Sequence, residues 1–202
     1  MCTYDLAKGE IPLITLRSIA TKSSIGELLW IYQDESNDLN VLRDKYGVTW
    51  WDEWDIGNRT IGSVYGETVR RHNLMKNLLQ GLKENPDGRR HIINLWQESD
   101  FLTAGCINQV QYVVLQYLVA RHLNLRPGRF TWFYNNIQIY DRHLDQAHEL
   151  LQRDGIECQP KIVLNEEKQN FYDFQVEDVQ IVDYPKELIK KKNPQLKFEI
   201  GI

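Results

Sequence analysis

The stretch NQVQYVVLQYLVARH, residues 108–122, sets Val110, Val114, Tyr117 and Leu118 on one face at the 3.6-residue spacing of a helix. A helix of that length with one apolar face needs other elements to cover it. The chain supplies them in an irregular order. SSIGELLWIYQDES (23–36) carries a second apolar stripe at Ile25, Leu28, Leu29 and Tyr32, and Ser24 followed by Glu27 matches a capping box. Leu74, Leu78, Leu79 and Leu82 continue the helical pattern up to NPDG (85–88), whose Pro and Gly make a turn. HLDQAHELLQR (143–153) reads as a further helix. Strand-like runs stand between them: HIINLW (91–96), RFTWFY (129–134) after an RPG turn (126–128), KIVL (161–164), QIVDY (180–184) and LKFEIGI (196–202). KELIKKK (186–192) reads as a solvated turn between two strands. Strands and helices that do not alternate as βαβ units predict an α+β fold.

Composition narrows what such a fold does. A hydrophobic share of 42%, with six Trp and ten Tyr among 202 residues, suffices for a packed core and excludes disorder. The formal charge of −4 gives no electrostatic basis for non-specific nucleic-acid binding and speaks against RNA, though local arginines could hold a small anion. No apolar run approaches the ~18 residues of a membrane span, and MCTYDLAKGE has no signal-peptide core. Three unevenly spaced cysteines do not form a disulfide framework. The expectation is a cytosolic protein. No P-loop, GxSxG, CxxC or metal-type His pair is present.

Several segments read together do carry a signal. YDLAKGEIPLIT (4–15), SSIGELLWIYQDESND (23–38), VTWWDEW (48–54), IGSVYGETVRR (61–71), NPDGRRHIINLW (85–96), FYNNIQIYDRHLDQA (133–147) and FYDFQVEDVQIVDY (171–184) stand in an order that resembles thymidylate synthase, in particular its Gram-positive bacterial branch. The resemblance covers most of the chain. It implies a large mixed sheet flanked by helices that dimerises through the sheet, in a single domain over 1–202 with apparent gaps before residue 1 and near 96–98. It implies reductive methylation of dUMP to dTMP, with 5,10-methylenetetrahydrofolate as one-carbon donor and reductant, and no metal. In that chemistry a Cys thiolate attacks C6 of the uracil and makes C5 nucleophilic, dividing a difficult substitution into feasible steps.

The resemblance also assigns residues. Glu27 matches the glutamate that organises proton transfers around the pyrimidine O4, beside its plain reading as the capping-box partner of Ser24. Tyr65 matches the tyrosine that assists proton removal at C5. Asn108 matches the residue that reads uracil O4 and N3–H, and an N-cap role suits it equally. Arg89 and Arg90 match arginines that cross the dimer interface to the other subunit's dUMP phosphate, where RR after a turn is otherwise surface charge. Gln138, in place of the family His, and Tyr140 match the pair at the deoxyribose 3′-OH. Trp51, Trp54, Asp100 and Ile202 match folate contacts, although Trp is commonly buried for packing alone.

Asp100 and Asn108 keep the spacing of the family's R-S-x-D aspartate and helix-opening Asn. On that alignment the segment between Trp96 and Glu98 that would bear the nucleophilic cysteine is missing, and Cys106 is structural. A rival alignment makes Cys106 the nucleophile and gives up Asp100 and Asn108. Two other functions stay open: a pyrimidine hydroxymethylase that traps the one-carbon unit with water, told apart by product mass, and a non-catalytic nucleotide- or RNA-binding relative.

Overall fold

The computed structural model describes residues 1–95, 109–133 and 139–196. The chain divides into two compact units: Met1–Ala20 with Gly128–Val163 and Ile181–Ile202, and Thr21–Pro127 with Leu164–Gln180.

The second unit is built around helix α1 (Thr21–Tyr32). It packs against α2 (Leu39–Tyr46), α3 (Gly66–Arg71), α5 (Gln109–His122) and the turn at Val176–Asp178. Ile25, Leu28, Leu29 and Trp30 are almost wholly buried, and the Trp30 indole N–H donates to the Asp38 carbonyl at 3.1 Å. Burial is therefore not confined to one stripe. The same holds for α5, where Val110, Val113, Val114, Leu115, Leu118 and Val119 are buried and Tyr117 is only half-buried. Both helices run through the unit rather than along its surface, so the single apolar face expected for each understates their burial. α4 (Leu74–Glu84) is the amphipathic case, burying Met75 and Leu79.

Local chemistry sets the ends of these elements. Asp38 caps α2, accepting from the Asn40 N–H at 2.8 Å. α5 closes through Asn124, whose φ of +55° lets Leu125 N–H reach Ala120 O at 2.8 Å. The turn expected at 126–128 thus begins at Asn124. α1 begins at Thr21, which puts Ser24 inside the helix, buried, so the Ser24–Glu27 capping box is not formed.

In the first unit β1 (Cys2–Asp5) pairs antiparallel with β2 (Arg129–Trp132), Cys2 opposite Trp132 and Asp5 opposite Arg129. Tyr4 stacks near Phe130 across that pair, ring centroids 6.3 Å apart. Helix α6 (Leu144–Gln152) ends at Arg153, whose guanidinium donates to Leu16 O at 3.0 Å and Pro194 O at 2.6 Å. β3 (Lys161–Leu164) pairs with β4 (Val179–Val182). KELIKKK is not a turn but helix α7 (Lys186–Lys192), because Ile189 is fully buried and its neighbour Asn193 ties the end by donating to Thr15 O and Asp154 O at 2.8 and 2.9 Å.

Residues 91–95 of the expected strand HIINLW form no strand, and Ile92 is 72% exposed. Among the described residues the strands make two two-stranded sheets. The expected strand over 196–202 lies almost wholly outside them.

Of the described glycines, Gly66, at the head of α3, has the least room for a side chain. A β-carbon there would stand 2.0 Å from the Ser36 carbonyl oxygen. Gly66→Ala is expected to lower unfolding stability by at least about 1–3 kcal/mol, the usual cost of overpacking. Urea denaturation checks it, and an unchanged midpoint would show that the 36–66 contact yields freely.

Candidate active site

Glu27 lies on α1 one turn after Ser24, the single carboxylate on a helix otherwise given to the core. It is partly buried, so its charge needs partners. Trp51 Nε1 donates to its Oε1 at 2.6 Å and Gln111 Nε2 to its Oε2 at 3.0 Å. Burial pushes the Glu27 pKa above the ordinary carboxylate value, and the donors from Trp51, Gln111 and Trp50 restrain the rise. No ion pair reaches Glu27 among the described residues. A carboxyl so held can take and release protons nearer neutrality than a solvated one.

The tryptophans come from the segment between α2 and α3, and charge fixes that segment. Asp52 accepts from Arg43 and, at 2.7 Å, from Arg59, and Arg59 also reaches Asp55 at 3.2 Å. The two arginines hold the Asp52 carboxyl below its usual pKa, Arg59 most strongly. Trp51 meets Tyr65 edge-on at 5.4 Å between centroids and Trp54 at 6.2 Å. Tyr65 takes φ +48° and ψ −106°, a conformation costly for an aromatic residue, directly before Gly66. Such a conformation persists only where the surrounding packing over-determines it.

Tyr32 and Tyr112 complete the surroundings. The Tyr32 hydroxyl donates to that of Tyr112 at 3.0 Å, the rings edge to face. Burial pushes both phenols up, so both stay protonated. Four residues singled out in the sequence, Glu27, Trp51, Trp54 and Tyr65, thus converge. Gln111, Tyr112, Tyr32 and Trp50 were not singled out. One signal was readable: Gln111 is an amide in the middle of an apolar helical run, and a buried amide requires partners.

The other candidates lie apart. Arg89 and Arg90 are exposed on a hollow of ≈ 570 Å³ lined also by Asn77, Asn85 and His91, none of which belongs to the Glu27 cluster. The NPDG turn under them is closed by Gly88 N–H on Asn85 O at 3.0 Å and by the His91 ring on the same oxygen at 2.7 Å. Tyr140 belongs to the first unit, half exposed, with His143 edge-on at 5.5 Å and the Arg142 guanidinium 5.4 Å over its ring. Asp100, Cys106, Asn108, Gln138 and Ile202 lie outside the described residues. The described free cysteines, Cys2 and Cys158, are partly exposed in the first unit.

Along most of its length the chain is similar to known proteins. The sequence model of thymidylate synthase matches residues 1–106 and 99–199. The chain belongs to the thymidylate synthase family. The thymidylate synthase of Lactococcus lactis subsp. cremoris is 43% identical over 239 residues, covering 99% of this chain and 84% of the relative. That of Streptococcus mutans is 41% identical, covering 98% and 84%. The thermostable thymidylate synthase A of Bacillus subtilis superposes with a TM-score of 0.83 at 28% identity, covering 100% of this chain and 84% of that one. The Lactococcus alignment is longer than the 202 residues of this chain, so the relative has residues within it that have no counterpart here.

Thymidylate synthase activity is a methyl transfer: dUMP becomes dTMP at the expense of 5,10-methylenetetrahydrofolate, without a metal. That is the function of this chain, and the relatives favour neither the hydroxymethylase nor the non-catalytic alternative. No helix among the described residues is long and apolar enough to cross a membrane.

The raised pKa of Glu27 has a consequence for stability. Below the unfolded-state pKa both states hold the proton. As pH rises through the raised folded value, the folded protein must carry the desolvated charge, and stability falls. Replacement by Gln removes that loss. The melting temperature of Glu27→Gln relative to wild type is therefore expected to improve between about pH 5 and pH 8. Thermal unfolding at both pH values checks the sign, and a difference independent of pH would show that the carboxyl is not desolvated.

Proposed function

We propose that the Glu27 cluster is the pyrimidine end of the active site and that Glu27 relays protons at the O4 side of the ring during dTMP formation. The observation that carries this is the carboxylate itself, partly buried and oriented by the neutral donors Trp51 and Gln111. A negative charge that meets no cationic partner among the described residues keeps its basicity, as a proton relay requires. Tyr65, in edge contact with Trp51, assists removal of the C5 proton, and Trp51 and Trp54 face the folate.

The remaining assignments follow the resemblance. Asn108 reads the uracil edge, Gln138 and Tyr140 hold the deoxyribose hydroxyl, and Asp100 and Ile202 contact the folate. Arg89 and Arg90 serve the dUMP phosphate of a second subunit in a homodimer formed through the sheet; their exposure, away from the Glu27 cluster, supports a target on another chain. The nucleophilic cysteine is carried by a segment outside these 202 residues, Cys106 being the alternative. The enzyme works in the cytoplasm.

Turnover of dUMP to dTMP tests the centre of this reading. Glu27→Gln is expected to lower kcat by about 10²–10⁴-fold, the usual worth of a positioned acid–base group, with a small change in the KM for dUMP. Activity within a few-fold of wild type would remove Glu27 from the mechanism. In the same assay Cys106→Ser is expected to keep turnover, and its abolition would make Cys106 the nucleophile. Arg89→Ala is expected to raise the KM for dUMP about tenfold or more. Mixing Arg89→Ala with Glu27→Gln chains is expected to restore activity through hybrid dimers, and no recovery would place the arginines on their own subunit's nucleotide.

A further inference from the structure

We propose that Gln111 is a positioning residue for catalysis, holding the Glu27 carboxylate at one angle and tying its basicity to the register between α1 and α5. This rests on the reading of Glu27 as the proton relay. The observation is the double use of one amide: Gln111 Nε2 donates to the Ser24 carbonyl at 2.9 Å and to Glu27 Oε2 at 3.0 Å. Ser24 and Glu27 are one helical turn apart, so the two acceptors lie along the same side of α1 and one NH2 group spans them. Gln111 is 9% exposed and Ser24 4%, which leaves little room for water to substitute.

The geometry excludes the simpler view that Gln111 only joins two helices. A bond to Ser24 O alone would serve that purpose. The second proton of the same group goes to the carboxylate, opposite the Trp51 indole on the other oxygen. Two donors on two different oxygens fix the plane of the carboxylate as well as its position. Each favours the charged form against the desolvation that opposes it. Gln111 therefore sets how easily Glu27 gives up its proton and where that proton points.

The groups around Glu27 leave Gln111 as the adjustable element. From α5 the phenol of Tyr112 feels the carboxylate, and Tyr32 on α1 donates to Tyr112. From the head of α3 comes Tyr65, while Glu67 and Arg70 on that helix pair with each other. On α2, Lys45 and the Tyr46 hydroxyl are engaged by Asp34 and Arg43 by Asp52. At Val176–Asp178, Asp178 is paired with Lys168. Among the described residues these charged groups are thus committed elsewhere, and the neutral amide on α5 is positioned to tune the carboxyl.

The test combines Gln111→Met, which keeps length without a donor, with Gln111→Glu, which keeps shape and places a second carboxyl against the first. The Glu27 carboxyl is followed by ¹³C NMR of Glu-labelled protein, assigned by the resonance lost in Glu27→Gln, and dTMP formation is measured across pH. Gln111→Met is expected to move the Glu27 titration upward by about half a unit or more. It is expected to lower kcat about tenfold with a nearly unchanged KM for dUMP, and to add no loss in the Glu27→Gln background. Gln111→Glu is expected to move the titration further upward, and it serves alone where Gln111→Met does not fold. Titrations unmoved in both variants, or a loss in Gln111→Met that multiplies with that of Glu27→Gln, would overturn the proposal. Full turnover in Glu27→Gln itself would instead refute the relay reading, leaving the NMR titration to judge the Gln111 contact separately.

Discussion

The burial of one carboxylate on a helix that is otherwise core is the constraint on which the second unit depends. α1 is enclosed by α2, α3 and α5, and Glu27 is carried into that enclosure with it. A partly desolvated charge is tolerated only when oriented donors replace the lost water. Those donors come from two distant stretches of chain, the tryptophan segment and α5, so satisfying Glu27 also fixes how the two approach α1. Structure and chemistry are here one requirement: the contacts that make the carboxylate tolerable also set its proton affinity.

The tryptophan segment illustrates how a loop can be held against a partly buried carboxylate. It has little regular structure beyond a short turn at Asp52–Trp54, and its stiffness comes from Arg43 and Arg59 converging on Asp52, with Asp55 joined to Arg59. Exposed ion pairs contribute little singly. A carboxylate shared by two guanidinium groups is geometrically restrictive, and restriction is what a loop holding Trp51 needs. Tyr65 adds a second device. Its strained backbone brings its ring against Trp51 while Gly66 lets α3 start beneath Ser36. Packing elsewhere must over-determine such a conformation for it to persist.

Much of the helical framework was legible from spacing. The α4 pattern and the NPDG turn appear where apolar periodicity and the Pro–Gly pair place them. The errors share a cause. The charge of KELIKKK suggests a solvated turn, yet of its two apolar residues Ile189 is buried and organises a helix around itself while Leu188 stays exposed. HIINLW looks like a buried strand, yet a strand needs a partner and a surface to lie on, and over 91–95 no strand forms and Ile92 is exposed. The Ser24–Glu27 pair satisfied a capping pattern, but α1 starts a turn earlier and tertiary partners claim both residues.

The sequence by itself determined the family and the reaction, and it singled out Glu27, Trp51, Trp54 and Tyr65, because these sit within short contiguous motifs whose order along the chain is specific. The tertiary structure alone decided what else gathers around Glu27. Gln111 and Tyr112 are more than eighty residues from Glu27 along the chain, and Tyr32, five residues on along α1, joins through its hydrogen bond to Tyr112. No local pattern records such pairings, since they are selected by the free energy of enclosing a polar group, which exists only once the helices have come together.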